Sequence, residues 1–359
     1  MENFTDYYTD YLISSTSLTT ATGLSTLLQG SISHDKITRH LSKDNYDSRY
    51  LWKKVKPMVE ELCSSDDIVV ICFDDSIQEK RYTDESELIS YHFDHTVNRA
   101  VKGVNFLSAL VHTKAVSLPL AVEFVKKDRT IKDAKTGKQK RVSSKTKNEM
   151  YRDMLRSCDR NINFDYVLND SWYSSAENMQ LIKKELKRNF IMALKSNRKV
   201  ALSREDKAQK KYIGIGLLHL EQQPVEVWLE ELDFPLLLTK QVFKNEDDTV
   251  GELYLVCSDL NLSYAPIATI YKKRWSVEVY HKSVKSNASF SKSPTKTIRT
   301  QTNHFMLSIL AYVKLEWLQL RNQLNHFAMK SKIYLCALQA AMKQLNELST
   351  PLNKKHLLT

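Results

Sequence analysis

Hydrophobic and polar residues follow two periodicities along the chain, and the change between them separates helical from sheet-forming parts. Up to about residue 62, apolar residues recur at helical spacing, which predicts two short helices within 23–41 and a helix over 47–62. Residues 68–73 then form a continuous apolar run of strand length, which is typical of a strand buried on both faces. The chain therefore opens with helices and continues into a sheet.

The runs that follow predict a mixed α/β sheet flanked by helices. Three strands in a meander, followed by a strand, a helix and a strand, are the pattern of such a sheet. A β-rich stretch and two helices complete the chain. The expected elements are strands at 104–111, 118–125, 164–168, 190–194, 212–220, 225–230 and 253–257, with helices over 174–187, from residue 264 onward and over 302–324.

The net charge of the chain indicates the kind of partner it binds. The 359 residues hold 53 Lys and Arg against 42 Asp and Glu, a net charge of +11, which fits a polyanionic partner such as nucleic acid. Five scattered cysteines without a CxxC pair favour a reducing cytosol over a disulfide framework or a zinc site. No run approaches the roughly 20 apolar residues of a membrane span, and the acidic, aromatic start does not resemble a secretory signal.

Two segments have the charge expected of nucleic-acid contacts. Residues 126–147, the basic arm, hold ten Lys and Arg, among them Lys140, Arg141 and Lys145, and form either a solvated hairpin tip or a phosphate-tracking arm. Ser33 is placed to cap a helix that carries Arg39, the outline of a helix-turn-helix, although a plain helical hairpin packed on the core is an equal alternative.

Acidic residues follow two of the predicted strands. Asp74 and Asp75 come directly after the first strand, and Asp170 closes the strand at 164–168. Because ligands in open α/β sheets bind at the carboxyl ends of strands, two aspartates there can share a hard divalent cation. Turn or helix caps are the plain alternative for each residue taken alone.

The helix predicted around residues 271–285 supplies a third acid among basic residues. At about 100° per residue, one narrow stripe collects four basic or polar side chains around Glu278. Such a stripe suits a surface on which Glu278 binds a metal and the bases hold phosphates; a solvated face with i,i+4 ion pairs is the alternative. The other members of the stripe are Tyr271, Arg274, Lys282 and Lys285.

These residues resemble a known family. The order of Tyr271, Arg274, Glu278 and Lys285 resembles the tyrosine–arginine–glutamate–lysine signature of the insertion-sequence-four group of bacterial DDE transposases, and the resemblance covers about residues 65–325. Asp75, which precedes a hydroxyl residue, matches the first catalytic aspartate of that group, although the adjacent Asp74 leaves the choice ambiguous. Asp170 and Glu278 match the second and third acids.

The resemblance implies a ribonuclease-H-like catalytic core with a β-rich insertion before the signature helix. The implied segments are a helical N-terminal DNA-binding region (1–62), the core in two parts (63–197 and 263–325), the insertion (198–262) and a helical C-terminal tail (326–359). It also implies two Mg²⁺ ions, replaceable by Mn²⁺, held by Asp75, Asp170 and Glu278. Paired ions stabilise the attacking and leaving oxygens of an in-line displacement.

The implied function is cut-and-paste transposition. Such an enzyme cleaves double-stranded DNA at transposon ends, in this group through a hairpin, and joins the ends to target DNA, with a dimer in the DNA complex and a place on the bacterial nucleoid. Trp172 and Trp275 are candidates to stack a displaced base, although tryptophan is more often a core residue. The alternatives are a transposase-derived DNA-binding protein without cleavage activity and a nuclease that cuts without joining.

Overall fold

The computed structural model describes residues 2–63, 68–113, 116–134, 137–220, 223–244 and 248–349. Lys135 of the basic arm and residues 350–359 of the predicted tail lie outside these ranges. The helices are α1 (Glu2–Ser14), α2 (Ala21–Leu27), α3 (His34–Lys43), α4 (Ser48–Leu62), α5 (Lys147–Asn161), α6 (Ala176–Gln180, continued by a π-helical turn over Leu181–Glu185), α7 (Arg204–Ala208), α8 (Tyr264–Lys272), α9 (Trp275–Asn287), α10 (Ile298–Asn322) and α11 (His326–Leu348).

Thirteen strands occur within the same ranges. They are β1 (Val70–Glu79), β2 (Ser90–Asp94), β3 (Arg99–His112), β4 (Ser117–Phe124), β5 (Arg129–Lys132), β6 (Gln139–Val142), β7 (Tyr166–Asn169), β8 (Asn189–Leu194), β9 (Lys199–Val200), β10 (Ile213–Gly214), β11 (Val225–Val227), β12 (Leu236–Lys244) and β13 (Val250–Cys257).

Nine of these strands form the central sheet, in the order β11-β12-β13-β8-β7-β1-β3-β2, with β4 also paired to β3. Strands β1, β3 and β4 form an antiparallel meander, and β7 and β8 continue the sheet parallel to β1. This mixed sheet, flanked by helices, has the strand order of a ribonuclease-H-like fold, as the sequence predicts. The insertion strands β11–β13 extend it beyond β8.

Strand β1 is longer than the apolar run predicts. It continues through Asp74 and Asp75 to Glu79, because β3 pairs with it over its whole length. The parallel partner β7 ends earlier, and its last pair joins Phe73 to Asn169. The two aspartates therefore lie within β1, directly beyond the point where the parallel pairing stops, and not after the end of the strand.

The insertion is β-rich, as the hydrophobic pattern predicts, but its individual strands differ from the predicted ones. The predicted strand at 212–220 is a two-residue strand, β10, followed by a 3₁₀ turn over Ile215–Leu217. Strand β12, which the hydrophobic pattern does not predict, joins β11 to β13. Its first residues are fully apolar because both faces are buried, so they show no alternation.

The N-terminal helices pack on the rest of the chain. The hydroxyl of Tyr8 lies 3.0 Å from Nδ1 of His304 on α10, and the apolar residues of this region join the common hydrophobic core. Ser33 caps α3 through a hydrogen bond from the Lys36 backbone N–H, as predicted. Arg39 is exposed on this helix.

The helix predicted from residue 264 is divided in two. Helix α8 ends at Lys272 and α9 begins at Trp275, with two residues between them. Across this junction the backbone N–H groups of Arg274 and Val277 donate to carbonyls three residues back, which tightens the turn. Tyr271 and Glu278 consequently belong to different helices.

Strands β1 and β3 approach so closely at Gly103 that a larger residue there tests their pairing. A Cβ atom on Gly103 would lie 2.2 Å from the backbone oxygen of Gln78 in β1. We expect Gly103→Ala to lower the free energy of unfolding by about 1–3 kcal/mol, because the strands must separate. Gly214→Ala is the matched control, since its Cβ would meet only a Leu217 side chain at 3.8 Å. Equal denaturant midpoints for the two variants would contradict this account.

Candidate active site

The pleat of β1 sends its two adjacent aspartates to opposite faces of the sheet, because successive strand side chains alternate. Cys72 faces α9, where the hydroxyl of Ser276 lies 3.8 Å from its sulfur. Ser76 faces the same way and accepts a 2.7 Å hydrogen bond from Lys285. Asp74, between these two residues, therefore faces α9.

Asp75 faces α5 together with Phe73, and its carboxylate accepts hydrogen bonds from three side chains. The donors are Tyr173 at 2.6 Å, Lys147 at 2.7 Å and Asn105 at 3.0 Å. Loss of hydration alone would raise the pKa of Asp75, but the charge of Lys147 and the three hydrogen bonds lower it below its usual value. Asp75 is thus an ionised carboxylate held by three side-chain donors.

Asp74 has the opposite electrostatic character. Loss of hydration, reinforced by the charges of Asp170 and Asp75, raises its pKa to about 8, although Arg274 acts against this shift. The pKa of Asp170 is raised as well, chiefly by loss of hydration. The carboxyl groups of Asp74 and Asp170 therefore share a poorly hydrated space at the end of the parallel strands.

Glu278 lies on α9 and forms an ion pair with Arg274. The distance from a guanidinium nitrogen to Oε1 is 2.7 Å, and Arg274 is the more buried of the two side chains. Arg274 lies at the α8–α9 junction, near enough to Asp74 to act on its pKa. Tyr271 is buried at the same junction and donates a 3.3 Å hydrogen bond to the carbonyl oxygen of Asn169.

A metal site is only partly assembled by these side chains. Among the residues with defined positions, no three His, Cys, Asp or Glu side chains lie close enough together to hold an ion. Asp74 and Asp170 nevertheless offer the oxygen ligands that Mg²⁺ prefers. Loss of hydration raises the pKa of both groups despite the charge of Arg274, so a bound cation would stabilise their ionised forms. The donor set fits a hard divalent cation once Glu278 leaves Arg274.

The basic side chains of the stripe around Glu278 point in different directions. Lys285 points to the sheet, where it donates to the Ser76 hydroxyl and, at 2.8 Å, to the Ile77 carbonyl oxygen. Lys282 is exposed and its ammonium lies 5.5 Å from the centre of the Phe327 ring. The structure thus brings Arg274 and Lys285 toward the acids and leaves Lys282 on the outer side of α9.

Both candidate tryptophans are at the surface. Trp172, two residues after Asp170, is half exposed, with Lys195 4.9 Å from its ring centre. Trp275, at the start of α9, is 60% exposed and lines a cavity of about 1160 Å³ between the insertion, α8–α9 and the start of α11. Neither ring is a core residue, so the core interpretation of these tryptophans is wrong.

The basic arm folds as a hairpin of β5 and β6. Lys140 is exposed, and Arg141 lies 3.8 Å from Glu85. Lys145 pairs with Asp153 on α5. At the end of the arm, Lys147 pairs with Asp75, so one base of the arm belongs to the site itself.

The partners of Asp75 are functional candidates that the sequence reasoning missed. One signal for Lys147 was available: Thr146 and Glu149 have the spacing of a capping box, and the structure contains it at the start of α5. This cap fixes Lys147 as the first residue of the helix. Tyr173 and Asn105 carried no comparable signal, because their contacts depend on tertiary packing.

Comparison with known proteins assigns the chain to a family. A model described as DDE superfamily endonuclease matches residues 2–216, and one described as transposase DDE domain matches residues 136–314. The chain therefore belongs to the DDE superfamily endonucleases, and its residues 136–314 are similar to the transposase DDE domain. No curated protein matches the sequence. Within the described ranges, no helix has both the length and the apolar character to cross a membrane.

One solved structure, titled Drosophila P element transposase strand transfer complex, has a similar chain. The two sequences are 7% identical and the TM-score is 0.28, over 96% of this chain and 87% of the other. A likeness at this level carries no argument about function.

Substitution of the two adjacent aspartates by asparagine should change the thermal stability of the protein in opposite directions. The folded chain keeps the proton of Asp74 up to about pH 8, whereas the unfolded chain loses it near pH 3.8, so stability falls as pH rises through that window. We expect Asp74→Asn to raise Tm, and to raise it more at pH 8 than at pH 5. The free energy involved is on the order of 1.4 kcal/mol per unit of pKa shift.

Asp75→Asn is the matched comparison. The lowered pKa of Asp75 contributes stability that is present above its unfolded value and is lost as pH falls through the folded one. This variant should therefore lower Tm at pH 8, since Lys147 loses its partner. Thermal unfolding followed by circular dichroism at both pH values measures these changes. A loss of stability in Asp74→Asn that is equal at pH 5 and pH 8 would contradict the assignment.

Proposed function

We propose that this protein is a cut-and-paste DNA transposase whose catalytic acids are Asp74, Asp170 and Glu278. The observation that carries the proposal is the pair of poorly hydrated carboxyl groups, Asp74 and Asp170, at the end of parallel strands beside Arg274 and Glu278. Groups with raised pKa values at such a place are typical of functional sites. Membership of the DDE superfamily endonucleases supports the same reading.

Asp74 is the better first acid, although the sequence favoured Asp75. Asp74 faces α9 and the helix junction, where the third acid lies, and its own partners are few. Asp75 is fully engaged with Lys147, Tyr173 and Asn105 on the other face. A carboxylate that already accepts three hydrogen bonds is a poor candidate for a metal ligand, so Asp75 acts as a positioning residue beneath the site.

In this proposal Asp74, Asp170 and Glu278 hold Mg²⁺, or Mn²⁺ in its place, as two ions per site. The ions would supply the stabilisation of developing charge on the attacking and leaving oxygens of a phosphodiester. The chain's own residues orient the DNA. Arg274 and Lys285 bind phosphates near the cut, and Tyr271 keeps the α8–α9 junction against the strand that precedes Asp170.

The ion pair between Arg274 and Glu278 implies that DNA binds before the metal site is complete. A guanidinium binds phosphate in the same bidentate manner as carboxylate. A DNA phosphate that reaches Arg274 therefore competes for it and releases Glu278 for its catalytic role. Before DNA binds, the 2.7 Å contact keeps the third acid occupied.

The remaining features suit the handling of DNA ends. We assign the chain to the insertion-sequence-four group, with a hairpin intermediate, a dimer in the DNA complex and a place on the bacterial nucleoid. Trp172 and Trp275 are exposed beside the site and stack displaced bases. The phosphate backbone is bound by basic residues outside the site, namely Arg39, Lys282 and the basic arm with Lys140, Arg141 and Lys145.

A DNA-binding protein without cleavage activity is the second candidate. The observation that favours it is the engaged state of Glu278, which leaves only two acids together. In such a protein the raised pKa of Asp74 would serve no reaction, and divalent cations would not change its thermal stability.

Cleavage assays distinguish these functions. The substrate is a duplex that carries the inverted repeats flanking the coding sequence, with Mg²⁺ or Mn²⁺. We expect Asp74→Asn, Asp170→Asn and Glu278→Gln each to lower the cleavage rate about 1000-fold or more, as the loss of several kcal/mol of transition-state stabilisation requires. Asp75→Asn should cost only about 10-fold, because it acts through other residues.

The control for these variants is Glu177→Gln, since Glu177 is an exposed carboxylate on α6. Mn²⁺ should raise the Tm of the wild-type protein and of the control, but not that of Asp74→Asn. Cleavage that survives in Asp74→Asn and disappears in Asp75→Asn would reverse the assignment of the two aspartates. Absence of cleavage in the wild type, together with intact DNA binding, would favour the second candidate.

The basic arm should contribute to DNA affinity through phosphate contacts alone. Each contact that is lost lowers the slope of log K against log salt by about 0.9. Lys140→Ala combined with Arg141→Ala should therefore reduce the slope by about 2 for any DNA sequence. Lys199→Ala with Lys211→Ala, two exposed residues of the insertion, is the control and should leave the slope unchanged. An unchanged slope in the arm variant would show that the arm is only solvated.

A further inference from the structure

An exposed row of aromatic rings extends from the neighbourhood of Asp170 along the outer face of β2. These rings, the aromatic row, belong to Trp172, His95, Phe93 and Tyr91, and all four side chains are exposed. The ring centre of His95 lies 5.0 Å from that of Trp172 and 4.7 Å from that of Phe93. Tyr91 lies two positions before Phe93 in the strand and therefore on the same side.

One end of the aromatic row adjoins the proposed metal site. The backbone N–H of Trp172 donates a 2.9 Å hydrogen bond to Oδ1 of Asp170. The ammonium group of Lys195 lies 4.9 Å from the centre of the Trp172 ring. A base stacked on Trp172 would therefore lie beside a proposed catalytic acid, with a basic side chain near its phosphate.

The other end of the row points to the same face of the sheet as the site. In β3, Asn105 donates to Asp75, and Val101 shares that face because it lies four residues earlier. Val101 pairs with His92 of β2, so His92 also faces this way. The residues on either side of His92, which belong to the aromatic row, consequently point to the opposite face, the face of Asp74.

Each ring of the row has an open side. Tyr91, Phe93 and Trp172 are 52%, 51% and 48% exposed. Neighbouring rings meet edge to face, at 67° and 69°, and do not cover one another completely. A contiguous exposed apolar surface of this kind is typical of a binding site. The flat faces of nucleic-acid bases match it, because every base can stack on an aromatic ring.

Basic side chains accompany the rings along β2. Lys102 is the cross-strand neighbour of Tyr91, and Lys127 donates a hydrogen bond to the Tyr91 carbonyl oxygen. The acid of this strand, Asp94, has Arg99 as its cross-strand neighbour. Aromatic rings combined with a basic surface are the features that bind single-stranded nucleic acid. A duplex keeps its bases stacked inside, so it offers no base faces to the rings.

We propose that the aromatic row binds an unpaired strand of DNA beside the cut, with successive bases stacked on its rings and the phosphates held by the neighbouring lysines. A row of four rings suits several consecutive unpaired nucleotides, whereas Trp172 alone would take one. This surface deepens the proposed function and rests on it in one respect, because it takes the acids to be the place of cleavage. The binding itself requires neither a divalent ion nor cleavage.

The test is the affinity of the full chain for two labelled probes, measured by fluorescence anisotropy without divalent ions. The probes are an oligothymidine of about 15 nucleotides and a blunt duplex of unrelated sequence. We expect Phe93→Ala and Tyr91→Ala each to raise the dissociation constant for the single strand about 10-fold, as the loss of one stacked base requires. The constant for the duplex should not change.

Salt dependence separates stacking from phosphate contacts. Because neither variant removes a basic side chain, the slope of log K against log salt for the single strand should stay as in the wild type. Phe93→Trp keeps a ring and should retain the wild-type affinity. Leu217→Ala, which removes an exposed apolar side chain of the insertion, is the control and should change neither affinity.

A duplex with a short unpaired overhang tests whether the aromatic row continues from the site. Overhangs of both polarities are compared with the blunt duplex. We expect one of them to bind about 10-fold more tightly than the blunt duplex, because its unpaired bases reach the rings. The difference should disappear when Phe93→Ala is combined with Trp172→Ala.

Three results would overturn the proposal. The first is a wild-type protein that binds the duplex but not the single strand. The second is a single-strand affinity that Tyr91→Ala and Phe93→Ala leave unchanged. The third is an equal loss of affinity for both probes in these variants, which would indicate a general structural role. Failure of the proposed function has a different signature, namely single-strand binding through the row without any metal-dependent cleavage.

Discussion

Poor hydration at the end of the central parallel strands is the constraint on which the site depends. Pairing between β1 and β7 stops at Phe73 and Asn169, and the next residues, Asp74 and Asp170, extend into the same enclosed space. Water cannot hydrate both carboxylates there, so at least one keeps its proton near neutral pH. The helices and loops around this space supply the charged and hydrogen-bonding partners of the acids.

Two basic side chains pair with the acids, one on each face of the sheet. Lys147 pairs with Asp75 and connects β1 to the first residue of α5, while Tyr173 connects the same carboxylate to the loop that follows Asp170. On the other face, Arg274 lies at the α8–α9 junction between Asp74 and Glu278. The acids are thus held by contacts between segments that lie far apart in sequence.

The sequence predicts the fold class and the neighbourhood of the site, because both depend on local signals. A buried apolar run defines the core of β1, and acids directly after two such runs point to one edge of the sheet. Which aspartate faces α9 was not predicted, since the apolar run does not show that β1 continues and alternates. The divided helix was missed for a similar reason: residues 273 and 274 are compatible with a helix and keep right-handed helical backbone angles, so no local signal marks the division.

The pairing of each acid has a consequence for the first encounter with a polyanion. Asp75 is neutralised by Lys147 and Glu278 by Arg274, while Asp74 retains its proton near neutral pH. Of these acids only Asp170 is left without a neutralising partner, so the cleft contributes little repulsion of its own. The surplus of +11 elsewhere on the chain then governs the approach. The acid cluster therefore presents little negative charge to an approaching polyanion, and it gains negative charge when Arg274 exchanges Glu278 for a phosphate.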